Sequence, residues 1–285
     1  MERYEFKPRK LPLINGFAAR RILEDIRDGK KKTQFSPDLG KTMKVVEIER
    51  TTVKTNPPLT PRILEKLARH PGRIYLMTEE FPAVEFSEEG HYYKLRAVGE
   101  VGAPTVEIDG IHMHRIKEMT PWQDSKRKIS LLSIKRGNRV LDICTGLGYT
   151  AILATRSGGR VITIEKSKGV LEIAEYNPYS WELDRIPIIL GDATEVINEF
   201  EEQSFDRVLL DPPRFSVAGE LYGENFYAAI FRIIKKSGIF VHYVGAPGRV
   251  RGKKLVKGVT QRLKNVGFEI IGFDTTVECV ISRRP

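Results

Sequence analysis

From residue 126 onward, short apolar runs alternate with amphipathic stretches at a density that leaves few folds open. RVLDIC (139–144), RVITIE (160–165), IPIIL (186–190), DRVLL (206–210) and GIFVHYV (238–244) read as short buried strands. Between them lie YTAILATR, GVLEIAEYN, ATEVINEF, ENFYAAIFRIIKK and KKLVKGVTQRLKNV, whose apolar positions recur near the helical period of about 3.6 residues. Such alternation predicts an α/β fold, a mostly parallel sheet with helices on both faces. FEIIGFD and TTVECVIS, at the end, have no helix between them, so an antiparallel pair is expected at the sheet edge.

The N-terminal part follows a different pattern. A helical stretch around Gly16–Asp28 leads into the long alternating run MKVVEIERTTVKT, and a short helix (Pro61–Arg69) precedes the strand candidates RIYLMT, AVEFS, HYYKLRAV and TVEID. Residues 1–118 therefore read as a small α+β module, and 119–285 as the α/β domain. MTPWQDSKRKISLL (119–132) connects them, with a helix beginning near Trp122 or Asp124. A length of 285 residues accommodates both units.

Composition removes several classes of function. A hydrophobic fraction of 41% excludes wholesale disorder. Two cysteines, Cys144 and Cys279, without CxxC spacing exclude a disulfide scaffold, a Cys-rich zinc site and an iron–sulfur cluster. No apolar run approaches the roughly 18–20 residues of a membrane span, and MERYEFKPRK lacks the apolar core of a signal peptide. A soluble cytoplasmic protein with no membrane partner and no metal is expected, and a monomer is favoured. The net charge of +10 divides into +3 over residues 1–125 and +7 over 126–285. Gly245 to Lys264 carries Arg249, Arg251, Lys253, Lys254, Lys257, Arg262 and Lys264 with no acid. A solvated helix face explains that run as well as a polyanion-binding rim does.

The sharpest local feature is VLDICTGLGYTAILA (140–154), an apolar strand that enters Gly146-Leu147-Gly148 and emerges as a helix. Glycines there permit a tight turn and a close approach of backbone to ligand, with a helix N-terminus beyond. Glu165, at the end of the next strand, is placed to accept from two ribose hydroxyls. Gly146-x-Gly148-x-x-Ala151 also satisfies a dinucleotide pattern, so NAD is a rival. Asp142 argues against it: a carboxylate at this strand end repels a pyrophosphate and suits the cationic amino-acid part of S-adenosylmethionine. Asp192, in LGDAT, follows the third strand and can accept from an adenine amine, cap the next helix, or both.

VLDICTGLGYTA, VITIEKS, LGDAT and VLLDPPR, in this order and spacing, resemble the motifs of class I S-adenosylmethionine-dependent methyltransferases. The resemblance covers residues 126–285. It implies a Rossmann-like, mostly parallel seven-stranded sheet with an antiparallel last strand. It implies cofactor contacts from Asp142, Cys144, Thr145, Gly146, Gly148, Tyr149, Glu165, Lys166, Asp192 and Ala193, with Trp122 as part of a lid. Cys144 stands where the family pattern has its first glycine. The whole chain looks most like a group of archaeal predicted methyltransferases associated with ribosomal RNA base modification.

The fourth strand ends in Asp211-Pro212-Pro213-Arg214-Phe215, similar to the [Asp/Asn/Ser]-Pro-Pro-aromatic motif of enzymes that methylate exocyclic amines of bases. Such an amine is a poor nucleophile because its lone pair is delocalised into the ring. The Asp211 carboxylate and the Pro212 carbonyl could accept its two hydrogens, and Asp211 could also take the released proton. Arg214 occupies the usual aromatic position, so Arg214 or Phe215 would stack on the target. The expected activity is methylation of an RNA base amine, cytidine N4 in ribosomal RNA or a pre-ribosomal particle. Guanine N2, polyamine aminopropyl transfer and non-catalytic RNA binding are the alternatives. His112 and His114 lack an evident third ligand and read as surface or packing residues. Asn56-Pro57-Pro58 reads as a rigid turn before a helix, and Cys279 as core.

Overall fold

A computed structural model describes residues 1–213, 218–245 and 249–285, with side chains left out of the description over 249–253. The chain forms two compact units that share the sequence unevenly. One comprises Met1–Phe6, Gln123–Leu171 and Glu182–Pro285, and the other Lys7–Trp122 with Glu172–Trp181.

The larger unit carries the alternating pattern. Its strands are β1 (Glu2–Tyr4), β2 (Arg139–Ile143), β3 (Arg160–Glu165), β4 (Ile188–Leu190), β5 (Phe205–Leu210), β6 (Ile234–Tyr243), β7 (Glu269–Asp274) and β8 (Cys279–Arg283). Its helices are α1 (Pro121–Leu131, whose first two residues count with the other unit), α2 (Tyr149–Arg156), α3 (Lys168–Ala174, whose last three residues count with the other unit), α4 (Ala193–Val196), α5 (Glu224–Ile233) and α6 (Arg249–Val266). Among the described residues the strands make one eight-stranded sheet in the order β1-β4-β3-β2-β5-β6-β8-β7. β2 to β6 are parallel, while β8 runs antiparallel between β6 and β7. The expected Rossmann-like sheet is therefore present, and the chain's first residues add an eighth strand. β1 pairs antiparallel with β4, covering an edge that would otherwise expose unpaired N–H and C=O groups.

Central strands read as continuous apolar runs because both faces are covered. Val140, Leu141 and Ile143 in β2, and Val208, Leu209 and Leu210 in β5, are fully buried. Strand order reverses at β2: β3 and β4 lie to one side, β5 and β6 to the other. In open α/β sheets, ligands bind outside the carboxyl ends of the strands at such a switch point. The basic run is mostly the helix α6, with Val259 and Leu263 in the core and Lys254, Lys257 and Lys264 exposed. Arg262 is tied inward, donating to the Tyr222 carbonyl at 2.8 Å.

The smaller unit holds helices Gly16–Arg27 and Pro61–Ala68, N-capped by Asn15 and Thr60, over a core that includes Ile22, Leu64 and Leu67. Its four-stranded antiparallel sheet is built from Glu85–Glu88, His91–Arg96, Thr105–Ile108 and Ile111–His112. The long run MKVVEIERTTVKT is a hairpin rather than one strand: Lys44–Glu49 pairs with Thr52–Val53 across a turn at Arg50, whose φ is 56°. Among the described residues, no helix is long and apolar enough to cross a membrane.

Candidate functional site

The switch point gathers four carboxylates on strand ends of the larger unit. Asp142 is the fourth residue of β2, Glu165 ends β3, Asp192 follows β4 and Asp211 follows β5. Cross-strand register accounts for the grouping, since Ile143 pairs with both Ile164 and Leu210.

Asp142 is 1% exposed. One of its oxygens accepts from the Thr163 hydroxyl at 2.8 Å, and the other, Oδ1, is buried with no hydrogen-bond partner. Burial pushes its carboxyl up to about 7, the charges of Asp211 and Glu165 add to that, and the Thr163 and Thr150 hydroxyls oppose it. A buried acceptor without a donor is costly in the protein alone. It fits a ligand that brings its own cationic N–H.

The glycine loop begins in left-handed backbone. Cys144 has φ 74°, Gly146 φ 54° and Gly148 φ 76°. The N–H groups of Cys144 and Thr145 both donate to the Ile164 carbonyl at 3.0 Å, which folds the loop back over β3. A Cβ built on Gly146 would meet nothing within 4 Å, so that position opens onto free space. One on Gly148 would lie 2.4 Å from the Leu183 side chain, so that glycine serves close packing. Thr145 turns inward, its hydroxyl 2.6 Å from that of Thr163, and Tyr149 is buried at the start of α2. The Cys144 thiol is pushed well above its ordinary range by burial and by the surrounding carboxylates. A neutral thiol there is a space-filler rather than a nucleophile.

Glu165 does more than its spacing suggested. Its carboxylate accepts the Gly146 N–H at 2.9 Å and the Ser167 N–H at 3.0 Å, which braces the glycine loop against β3. Burial raises its pKa, and these backbone donors oppose the rise. Ionised carboxylates have about four acceptor sites, so these backbone donors do not exhaust its capacity. Asp192 caps α4 by accepting the Thr194 N–H at 2.9 Å, and also accepts from Lys166 Nζ at 2.8 Å. Burial opposes ionisation of Asp192, but Lys166 and Thr194 outweigh it and hold its carboxyl below the usual range. Ala193 opens α4 beside it, 7% exposed.

Asp211 is joined directly to the glycine-loop strand, its N–H donating to the Ile143 carbonyl at 3.1 Å. Pro212 is buried, and the Pro213 carbonyl accepts from the Tyr222 hydroxyl at 3.0 Å. Arg214 and Phe215 lie outside the described residues, as do the side chains of Arg249, Arg251 and Lys253. Trp122 belongs to the smaller unit, where its ring meets Tyr179 edge-on at 5.7 Å.

Sequence reasoning missed two residues. Lys128, on α1, donates to Asp211 Oδ1 and Oδ2 at 2.7 and 2.9 Å and lies 2.7 Å from Asp124 Oδ2. The i,i+4 spacing of Asp124 and Lys128 was a visible signal, but such pairs are usually surface decoration. His242, on β6, is fully buried; its Nδ1 donates to the Leu210 carbonyl at 3.4 Å and its Nε2 has no partner. Burial depresses its pKa to about 3, so it is a neutral ring packed among Tyr222, Tyr227 and Phe240. In the smaller unit His112 lies 3.2 Å from Glu107, and His114 lies 3.0 Å from the Thr105 hydroxyl. Among the described residues, no group of three or more His, Cys, Asp or Glu could hold a metal ion.

Comparison with known proteins agrees with this geometry. A family model described as a methyltransferase domain matches residues 140–238. An uncharacterized protein of Methanocaldococcus jannaschii, MJ1233, is 44% identical over 268 residues, which is 90% of this chain and 92% of that protein. A candidate large-subunit ribosomal RNA methyltransferase of the same organism, MJ1653, is 42% identical over 90 residues, 29% of this chain and 23% of that protein. Among solved structures, spermidine synthase from Thermotoga maritima aligns with a TM-score of 0.57 at 16% identity, covering 99% of this chain and 82% of that one. That likeness is one of fold.

Proposed function

Because this chain belongs to the class I S-adenosylmethionine-dependent methyltransferases, we propose that it methylates an exocyclic amine of an RNA base, cytidine N4 in ribosomal RNA. The observation that carries the reading is the hydrogen bond from Asp211 N–H to the Ile143 carbonyl. It sets the Asp211-Pro212-Pro213 turn beside the strand that leads into the glycine loop. An acceptor pair for an amine and a loop open to a nucleoside cofactor then share one strand edge.

S-adenosylmethionine, when bound, supplies an electrophilic methyl group on a sulfonium. The orphaned Asp142 oxygen would meet its cationic amino group, Glu165 its ribose hydroxyls and Asp192 its adenine amine. The open space at Gly146 admits close approach by the cofactor. Asp211 and the Pro212 carbonyl would hold the two amine hydrogens of the base, which frees the nitrogen lone pair from the ring. The freed lone pair would then be aimed at the cofactor's methyl group, which would pass to nitrogen with the sulfonium as leaving group. A methylated aryl ammonium is acidic enough to lose its surplus proton to water. Positioning and electrostatics therefore carry the rate.

The RNA assignment draws support from the charge distribution, +7 of the +10 falling in residues 126–285, and from the name of the relative MJ1653. Ribosomal RNA or a pre-ribosomal particle in the cytoplasm is the matching substrate. The test is mass-spectrometric nucleoside analysis of ribosomal RNA from a deletion strain. Loss of an N4-methylated cytidine is expected; loss of an N2-methylated guanosine would move the target to guanine, and an unchanged nucleoside profile would sink the RNA assignment.

A further inference from the structure

The ammonium group of Lys128 is enclosed by its carboxylate partners. Its side chain is 6% exposed, that of Asp124 is 4% and that of Asp211 is 19%. A primary ammonium has three N–H donors and no acceptor. Here the nitrogen reaches three carboxylate oxygens, one on Asp124 and both on Asp211, with the Tyr243 ring centroid 4.1 Å away. Burial on its own would strip a lysine of its proton, but the two carboxylates reverse that and hold Lys128 above its ordinary pKa. The group is therefore a fixed cation throughout the working pH range.

The arrangement has two consequences for Asp211. Its rotamer is pinned by two hydrogen bonds from one nitrogen, and both of its oxygens face a fixed cation. An aspartate that already accepts two charge-assisted bonds is fixed in orientation as an acceptor. A cation beside it also penalises any second cation brought to the same carboxylate. Neutral aryl amines escape this penalty; alkylammonium groups do not.

We propose that Lys128 is the positioning residue of this site, holding Asp211 as an anionic acceptor and selecting an uncharged amine over an alkylammonium. The proposal rests on the reading that Asp211 faces the acceptor amine. It also separates this chain from the polyamine-forming enzymes whose fold it shares. Charged or titratable groups facing the pair come from every neighbouring element: Asp124 from α1, Asp142 from β2, Cys144 from the glycine loop, Tyr222 before α5, Tyr243 from β6 and Cys279 from β8.

The test compares wild type with Lys128→Arg, Lys128→Met and the double variant Lys128→Met/Asp124→Asn. The double variant removes the repulsion that the single change leaves buried, so a folded sample is available. Three quantities are read: S-adenosylmethionine affinity by calorimetry, putrescine affinity by calorimetry, and kcat and KM separately with methyl-labelled cofactor and ribosomal RNA from a deletion strain. The double variant should keep cofactor affinity within about threefold and lose kcat by about 10- to 100-fold. Lys128→Arg, which keeps a cation and its N–H donors beside Asp211, should retain more of kcat than the double variant does. Putrescine should bind the double variant and not the wild type.

A wild type that labels RNA beside a double variant with unchanged kcat and no putrescine binding would overturn the role of Lys128 and leave the RNA reading standing. A wild type that labels no RNA would overturn that reading and the proposal with it.

Discussion

Replacing Asp142 by Asn should make the protein more stable at alkaline pH while weakening its hold on S-adenosylmethionine. The carboxyl is 1% exposed, has one oxygen without a partner, and sits at a pKa of about 7. An unperturbed aspartate titrates near 3.9, so the folded value is raised by about 3 units, worth about 1.4 kcal/mol each. A raised pKa means the folded state binds the proton more tightly than the unfolded chain. The stabilising contribution of neutral Asp142 is thus complete below pH ~4 and is lost as pH rises through about 7, a total of about 4 kcal/mol. Asn cannot ionise, and it keeps an oxygen for the Thr163 hydroxyl. Its amide nitrogen brings a fixed cost for an unsatisfied donor, about 1–3 kcal/mol, which does not vary with pH. Urea unfolding followed by circular dichroism, run in parallel on both proteins from pH 4 to 8, gives the difference curve. It should climb in favour of the variant by about 4 kcal/mol and flatten above pH 7.5. Calorimetry on the same samples should show cofactor affinity reduced at least tenfold. A difference curve that stays level within about 1 kcal/mol would refute a desolvated Asp142.

The loop glycines and their neighbour give further tests. Cys144 at φ 74° carries the left-handed penalty of about 1–2 kcal/mol, partly offset by the flexibility a glycine adds to the unfolded chain. Cys144→Gly should raise the thermal midpoint slightly with cofactor affinity unchanged, and a lowered midpoint would contradict the assignment. Gly148→Ala should destabilise by about 2 kcal/mol or more, through the Leu183 clash and the backbone strain together. Gly146→Ala should cost only about 1 kcal/mol in stability yet abolish most cofactor binding, because its Cβ projects into open space. Equal losses in melting temperature for the two glycines would show that the spaces are not as drawn. His242, with its pKa depressed to about 3, stabilises the fold above pH 6.5 and loses that contribution as pH falls toward 3. His242→Phe should therefore flatten acid unfolding over that window, measured as the midpoint against pH.

Much of this architecture is legible in the sequence because local signals and global fold agree. Apolar runs such as RVLDI and VLL are too continuous to leave a strand face in water, and they form the centre of the sheet. FEIIGFD and CVIS pair antiparallel because no helix separates them. Other features lack a local signature. The strand Glu2–Tyr4 is only three residues long, and its partner β4 lies 184 or more residues away. Glu172–Trp181 reads as helix and turn after Glu165, yet it counts with the smaller unit by its contacts. The carboxylates Asp142, Glu165, Asp192 and Asp211 stand at strand ends that spacing indicates, but their partners do not. Lys128 reaches Asp211 across 83 residues, and the brace from Glu165 to Gly146 N–H depends on a loop conformation that no residue type declares. Distant pairs of this kind depend on tertiary placement rather than on periodicity.

The most direct test of the central claim is methyl transfer in vitro. Purified protein, methyl-labelled S-adenosylmethionine and ribosomal RNA from a deletion strain are combined, and the labelled nucleoside is identified by mass spectrometry beside an Asp211→Ala control. Label on cytidine N4 is expected with wild type, and unchanged cofactor affinity with transfer reduced by orders of magnitude in the control. Label absent from RNA with wild type, or undiminished with Asp211→Ala, would contradict that claim.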